Sequence, residues 1–190
     1  MTRVSGPGPG VREVRVTDLE MTDPAQLRPG REPSVAATLV RAGRPAPELS
    51  RFFYRAVGGD WYWLDRLDWS LERWSEWVTS PRHELWTAWV DGTPAGYVEL
   101  ESDDTGSVEV AYFGLLPSYA GLGLGGWLLT RAVDRAWEID GTTRVWLHTC
   151  ELDSPAALAN YTARGFVAYR TFVEHWDTTA PSPGPWRGSR

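Results

Sequence analysis

The chain is predicted to form one α+β domain with a mixed, twisted β-sheet flanked by helices, and three observations carry that prediction. Residues 84–116 alternate between apolar and polar through three runs, joined by an Asp91-Gly92 turn and a polar Asp103-Asp104-Thr105-Gly106 turn, as in an antiparallel meander. The third run stops at Pro117, and Gly121, Gly123, Gly125 and Gly126 then feed a helical pattern carrying Leu128, Leu129, Ala132, Val133 and Ala136. Gly141 breaks the chain and residues 144–149 read as a strand, so this strand-helix-strand crossover makes residues 107–116 and 144–149 parallel partners.

The remaining elements follow in order. Residues 11–21 and 35–42 alternate well enough to be strands on either side of a proline-containing link, although the second also fits a helix. Leu49, Phe52, Phe53, Ala56 and Val57 fall at helical spacing with Gly58 as a stop, and a second helix starts at Ser70 with Leu71, Trp74 and Val78 on one face. Ser154 is expected to cap a further helix with Pro155 in its first position and Gly165 past its end, and residues 166–176 return to strand. A single domain is expected over residues 11–178. Residues 1–10 are rich in Gly and Pro and residues 180–190 carry three prolines, so 1–10 and 179–190 are expected to be flexible ends.

Composition excludes several functions. With 190 residues there is enough chain for one proper core and too little for two. A net charge of -6 argues against binding to nucleic acid or an anionic membrane. All basic residues are Arg, and a phosphate-binding P-loop needs Lys beside its glycines. One cysteine, Cys150, permits no internal disulfide, and with neither an apolar leader nor a long apolar run the protein is expected to be cytoplasmic, as a monomer or homodimer. His83-Glu84 lacks the second His of a metal motif, and no metal site is expected.

Glycines at a helix start let backbone N–H groups close around phosphate oxygens, so the turn suggests a cofactor that carries a pyrophosphate. Gly121, Gly123 and Gly126 satisfy G-x-G-x-x-G, and Glu151 could mimic the ribose-binding acid of a dinucleotide fold. Against that reading, Pro117 and further residues separate strand from turn, and too little chain follows to complete a doubly wound sheet.

The order of elements and two motifs resemble the GNAT superfamily of acyl-CoA-dependent N-acyltransferases. Ala120-Gly121-Leu122-Gly123-Leu124-Gly125 matches [QR]-x-x-G-x-[GA] at both glycines, with Ala120 where Arg or Gln is usual. Ala157, Tyr161, Gly165 and Phe166 match N-x-x-A-x-x-x-Y-x-x-x-G-F, with Ser154 at the Asn position. The resemblance covers residues 84–176. It implies a sheet splayed near Leu115 and acetyl-CoA as co-substrate, held by Phe113, Leu115, Leu116, the turn Ala120, Gly121, Leu122, Gly123, Leu124, Gly125 and Gly126, and Ser154. It further implies transfer to a primary amine of a small molecule by direct attack. A protein N-terminal acetyltransferase and a catalytically silent acyl-CoA-binding module are the alternatives.

By the same resemblance Glu109 lines up as general base, Leu115 supplies a backbone N–H to the thioester carbonyl, and Tyr161 protonates the departing thiolate. Each has a bland reading: a solvated strand Glu, and a half-buried packing Tyr. Glu99 lies opposite Glu109 if the turn register allows, in which case the paired carboxylates would raise one pKa. Ser154 either bonds the pantetheine arm or only caps its helix. His148 and Cys150 share a strand face, yet a buried strand Cys is usually a small core residue. Most of the tryptophans build core; Trp61, Trp63 and Trp69, in the segment between helices, are the candidates to wall an acceptor pocket.

Overall fold

The computed structural model describes residues 8, 10–179 and 184, so most of the two expected flexible ends lies outside the described residues. The chain runs β1 (Val11–Met21), β2 (Ala37–Arg41), α1 (Pro47–Gly58), α2 (Leu71–Thr79), β3 (His83–Val90), β4 (Thr93–Ser102), β5 (Ser107–Leu115), α3 (Leu124–Trp137), β6 (Arg144–Cys150), α4 (Ala157–Ala163) and β7 (Val167–Asp177). Among the described residues the strands form one open, seven-stranded sheet in the order β2-β3-β4-β5-β6-β1-β7.

The expected meander is present as β3, β4 and β5, all antiparallel. Its first turn holds Asp91 at φ 48° and Gly92 at φ 75°, the left-handed pair that a two-residue hairpin loop requires. Its second turn is organised by the Asp103 carboxylate, which accepts the N–H groups of Thr105 (2.8 Å) and Ser107 (3.0 Å). Residues 37–41 are strand rather than helix, pairing along β3. The crossover through α3 makes β5 and β6 parallel.

Strand alternation sends one set of side chains to each face. Val98, Leu100, Val108, Val110, Val145 and Leu147 pack against Leu124, Leu128, Leu129, Ala132 and Val133 of α3, and Tyr161 and Phe166 close that core. On the opposite face Phe53 and Val57 of α1 pack on Tyr97 of β4. The Phe53 and Tyr97 rings stack with centroids 5.0 Å apart.

One feature differs from the expectation. The last helix begins at Ala157, not at Pro155: Ser154 closes a turn instead, its hydroxyl accepting the Ala156 N–H (3.3 Å) and its carbonyl the Ala157 N–H (2.8 Å). β1 fills the slot between β6 and β7 and runs antiparallel to both, neighbours that its alternation alone does not name.

Candidate active site

The site is a fork in the sheet. Parallel pairing of β5 with β6 covers only Ser107 with Arg144, Val108 with Val145 and Glu109 with Trp146. Beyond Glu109 the strands part, β5 staying with β4 as far as Gly96 opposite Leu115. A bulge opposite Glu99 and Leu100, with Ala111 as the extra residue, bends β5 away. The Leu116 N–H points to the Ala95 carbonyl of β4 (2.9 Å), so strand alternation turns the N–H of Leu115, and that of Phe113 two residues earlier, toward the open fork. Leu116 itself sends its side chain to the α1 side, and it is Phe113 and Leu115 whose backbone lines the gap.

The glycine turn lies at the open end of the fork. Gly121 and Gly123 stand at φ 82° and 81°, and Gly123 precedes α3 with no side chain capping the helix. First-turn N–H groups at Leu124, Gly125 and Gly126 are left without the acceptors that helix geometry would supply one turn earlier. Leu122 is tied down by its carbonyl, which accepts the N–H (3.1 Å) and hydroxyl (3.2 Å) of Ser34. Asn160 of α4 donates to the Gly125 carbonyl (3.3 Å). A Cβ on Gly121 would meet nothing within 4 Å, so the concavity is open where an anion would enter. The donor set fits a pyrophosphate. Ala120 brings no side-chain donor there, but the Arg164 guanidinium occupies the space beside Gly126, a cation that the motif comparison does not reveal.

On the face covered by α1, the floor of the fork carries Glu109 and His148, with His148 Nδ1 3.2 Å from Glu109 Oε1. That contact, outweighing burial, raises the imidazole pKa. Register places Glu101 opposite Glu109, and Glu99 opposite Tyr112, so Glu99 does not face Glu109 as expected. The paired carboxylate is Glu101, whose pKa is raised by burial and then by Glu109.

Glu99 is instead the centre of a buried network. It accepts from Trp77 Nε1 (2.8 Å), Arg66 Nη1 (3.3 Å) and the Ser50 hydroxyl, and His83 Nε2 is 3.7 Å away. Burial alone would raise its pKa, but His83, Arg66 and Ser50 outweigh burial and hold it below the ordinary value. Arg66 is stacked on Trp77 (3.9 Å), Tyr112 (4.2 Å) and Trp69 (4.5 Å).

Of the three candidate tryptophans, Trp63 reaches the fork. Its Nε1 donates to Asp153 of the β6–α4 turn (3.3 Å), and its ring meets Tyr112 edge-on at 5.0 Å. Tyr62, at φ 59°, holds the left-handed kink just before it. Room for the ring comes from Gly58, whose Cβ would overlap it. Trp69 belongs to the Arg66 stack and to the outer groove between α1 and α2, while Trp61 is half-buried in the turn after α1.

Tyr161 is 8% exposed, with its ring 6.2 Å from that of Phe113 at an edge-on angle. Burial raises its pKa, Asp153 and Cys150 adding to the effect, so the phenol keeps its proton near neutral pH. Burial also pushes the Cys150 thiol up to about 12, which leaves no thiolate for a nucleophile. His148 turns to Glu109 rather than to Cys150. Ser154 lies in the turn before α4, where its hydroxyl is engaged by Ala156. Among the described residues no cluster of three metal-binding side chains occurs, and no helix is long and apolar enough to cross a membrane.

Residues 47–166 match the model of the acetyltransferase (GNAT) family. Uncharacterized N-acetyltransferases of Mycobacterium bovis and Mycobacterium tuberculosis are 37% identical to the chain over 78 residues, which are 41% of this chain and 49% of theirs. The matched stretch thus spans about half the length of these relatives. A GCN5-related N-acetyltransferase from Kribbella flavida superposes with a TM-score of 0.63 at 24% identity, over 90% of this chain and 61% of that one. A second, from Sphaerobacter thermophilus, gives 0.59 at 22% identity, over 88% and 52%. The structural matches establish the likeness of fold.

Proposed function

Because the chain belongs to the acetyltransferase (GNAT) family, we propose that it moves an acetyl group from acetyl-CoA to a primary amine of a small molecule by direct attack. One observation carries the reading: the fork that exposes the backbone of Phe113 and Leu115 opens onto the glycine turn at the start of α3. A pyrophosphate on the N–H groups of that turn sends the rest of coenzyme A along the open edge of β5, and the Leu115 N–H is left to polarise the thioester carbonyl.

An alkyl ammonium of pKa about 10 gives up about 4 kcal/mol to become a free amine near neutral pH, so a proton acceptor at the fork matters. Glu109 and His148 stand there together. Tyr161, a protonated phenol near the gap, is the group to protonate the leaving thiolate. The acceptor side is walled by the Trp63 and Tyr112 rings, on the sheet face that also carries the paired Glu101 and Glu109, a setting for a compact amine that arrives as a cation on an apolar body.

The test is thiol release from acetyl-CoA against a panel of small amines and peptide N-termini. Turnover of small aromatic or apolar amines is the expected result. Turnover confined to peptide N-termini would assign the protein acetyltransferase activity instead, and acetyl-CoA binding with no release on any acceptor would leave a silent binding module.

A further inference from the structure

We propose that His148, not Glu109, takes the proton from the attacking amine, and that Glu109 is a positioning residue that fixes the imidazole; the inference rests on the acyl-transfer reading above. The family resemblance lines up Glu109 alone as base, and the sequence marks His148 only by the strand face it shares with Cys150.

Three geometric facts carry it. Glu109 Oε1 lies 3.2 Å from His148 Nδ1, so the carboxylate orients the ring as the Nδ1–H tautomer and leaves the Nε2 lone pair as the basic site. The His148 side chain is 49% exposed and that of Glu109 only 18%, so the imidazole is the open member of the pair. Parallel pairing ends at Glu109 with Trp146, and His148 lies two residues farther along β6 on the same face. At a rise of about 3.3 Å per residue that advances it about 6.6 Å into the fork, toward the Leu115 N–H.

Charges around the ring favour the imidazolium that proton transfer creates. From β1, Asp18 is the cross-strand partner of His148, and Arg170 of β7 lies 3.9 Å from Asp18. From β4, Glu101 sits opposite Glu109. Asp153, in the turn after β6, accepts from the Thr149 hydroxyl (2.7 Å), and Cys150 remains a thiol on the same strand. From the α1–α2 side the cation is Arg66, already paired to Glu99. Carboxylates thus outnumber cations about the imidazole. Their effect agrees with its raised pKa, for which the Glu109 hydrogen bond is the largest cause.

The ammonium loses one proton to His148 Nε2, directly or through one water, and the freed nitrogen lone pair forms the N–C bond as the carbonyl π electrons move to oxygen. Collapse re-forms C=O and breaks C–S. The imidazolium passes its proton to solvent and His148 Nε2 then takes the second proton from the nitrogen, while the Tyr161 hydroxyl protonates the sulfur; that second proton, relayed through solvent, restores the Tyr161 hydroxyl. The products are the amide, the free thiol and one proton.

The test combines pH–rate profiles with NMR titration of the imidazole Cε1–H signals in the wild type, His148→Gln, Glu109→Gln and, as a control, His175→Gln on β7. With His148 as base, kcat/KM in the wild type rises with pH through the His148 pKa, since the neutral ring is the active form. His148→Gln loses about 10²-fold or more at neutral pH together with that limb. Glu109→Gln keeps the limb but moves it to lower pH, in step with the NMR pKa of His148, and His175→Gln changes neither. A limb retained in His148→Gln but abolished in Glu109→Gln would overturn the assignment in favour of Glu109. An NMR pKa of His148 unmoved by Glu109→Gln would overturn the pairing without reference to activity. A wild type without amine-dependent thiol release would overturn the acyl-transfer reading itself, and this inference with it. Circular dichroism checks that each variant is folded.

Discussion

Replacing Glu99 with leucine is expected to destabilise the protein far more than it alters the chemistry. The carboxylate is 1% exposed, and its partners Arg66 and His83 have side chains only 9% and 3% exposed, so neither finds water when it goes. Removing one member of a buried pair leaves the other charge uncompensated, at a cost of about 3–5 kcal/mol. At about 2–4 °C per kcal/mol for a chain of this size, the midpoint of thermal unfolding should fall by roughly 6–20 °C. Arg66 cannot swing away easily, because its guanidinium is held over Trp77, Tyr112 and Trp69. A double variant, Glu99→Leu with Arg66→Met, removes both charges and should recover much of the loss. The folded-state pKa of Glu99 is depressed, so its contribution is present above the ordinary carboxylate value and is lost as pH falls through the folded-state value. The gap between wild type and Glu99→Leu should therefore narrow on acidification. Thermal and urea unfolding followed by circular dichroism reads both effects. A Glu99→Leu protein as stable as wild type but without turnover would refute the reasoning and return Glu99 to the reaction.

Gly123→Leu should weaken acetyl-CoA binding at least about tenfold by calorimetry, since Gly123 sits at φ 81° just before α3 and a side chain there both strains the turn and presses on Pro33, displacing the N–H groups of the cradle. Unchanged affinity would place the cofactor elsewhere. Tyr161→Phe keeps the ring against Phe113 and Phe166 and removes only the hydroxyl, so kcat should fall by about 10²-fold or more while acetyl-CoA affinity stays. Equal losses in both would make Tyr161 a packing residue. Trp63→Leu should raise KM for the best amine more than it lowers kcat, whereas Trp61→Leu should leave KM unchanged, because only Trp63 reaches Asp153 and Tyr112. Equal kinetics in the two variants would remove Trp63 from the acceptor wall.

Much of this arrangement is legible in the chain because its signals are local. Asp91-Gly92 fixes a hairpin, glycines at 121 and 123 take the positive φ values that their type permits, and the spacing of Tyr161 to Gly165 and Phe166 survives in α4 and its end. What depends on register across strands is not legible. Expecting Glu99 opposite Glu109 requires a turn that the Asp103 side chain forbids, since by catching the Thr105 and Ser107 N–H groups it sets Ser102 against Val108 and so Glu101 against Glu109. That Asp-x-Thr-x-Ser pattern was the available signal. The His148–Glu109 contact carries no comparable local mark, because it joins strands whose parallel register is fixed through α3 and the packing of Val108 and Val145 beneath it. Period-two alternation identifies β1 as a strand but says nothing of its neighbours, which lie more than a hundred residues away.

The placement of β1 explains how a fork can stand in a single sheet. The family match begins at residue 47, yet one prong depends on residues 11–21. β6 has lost β5 beyond Trp146, and there it pairs with β1 from Val16 opposite Cys150 to Leu19 opposite Leu147. Buried Val14, Val16, Leu19 and Met21 anchor that strand, and Arg144 reaches across to Glu20 (2.6 Å). β5 in turn is held by β4 through the hairpin. Each prong therefore has a partner on its outer side, and the backbone groups without a strand partner are confined to the inner edges, over residues 110–115 and 147–150. Buried backbone groups need hydrogen bonds, and an extended ligand carrying amides can supply them. The same parting of strands that strips Leu115 of a neighbour carries His148 past the end of the ladder, so the donor edge and the base enter one gap from opposite prongs.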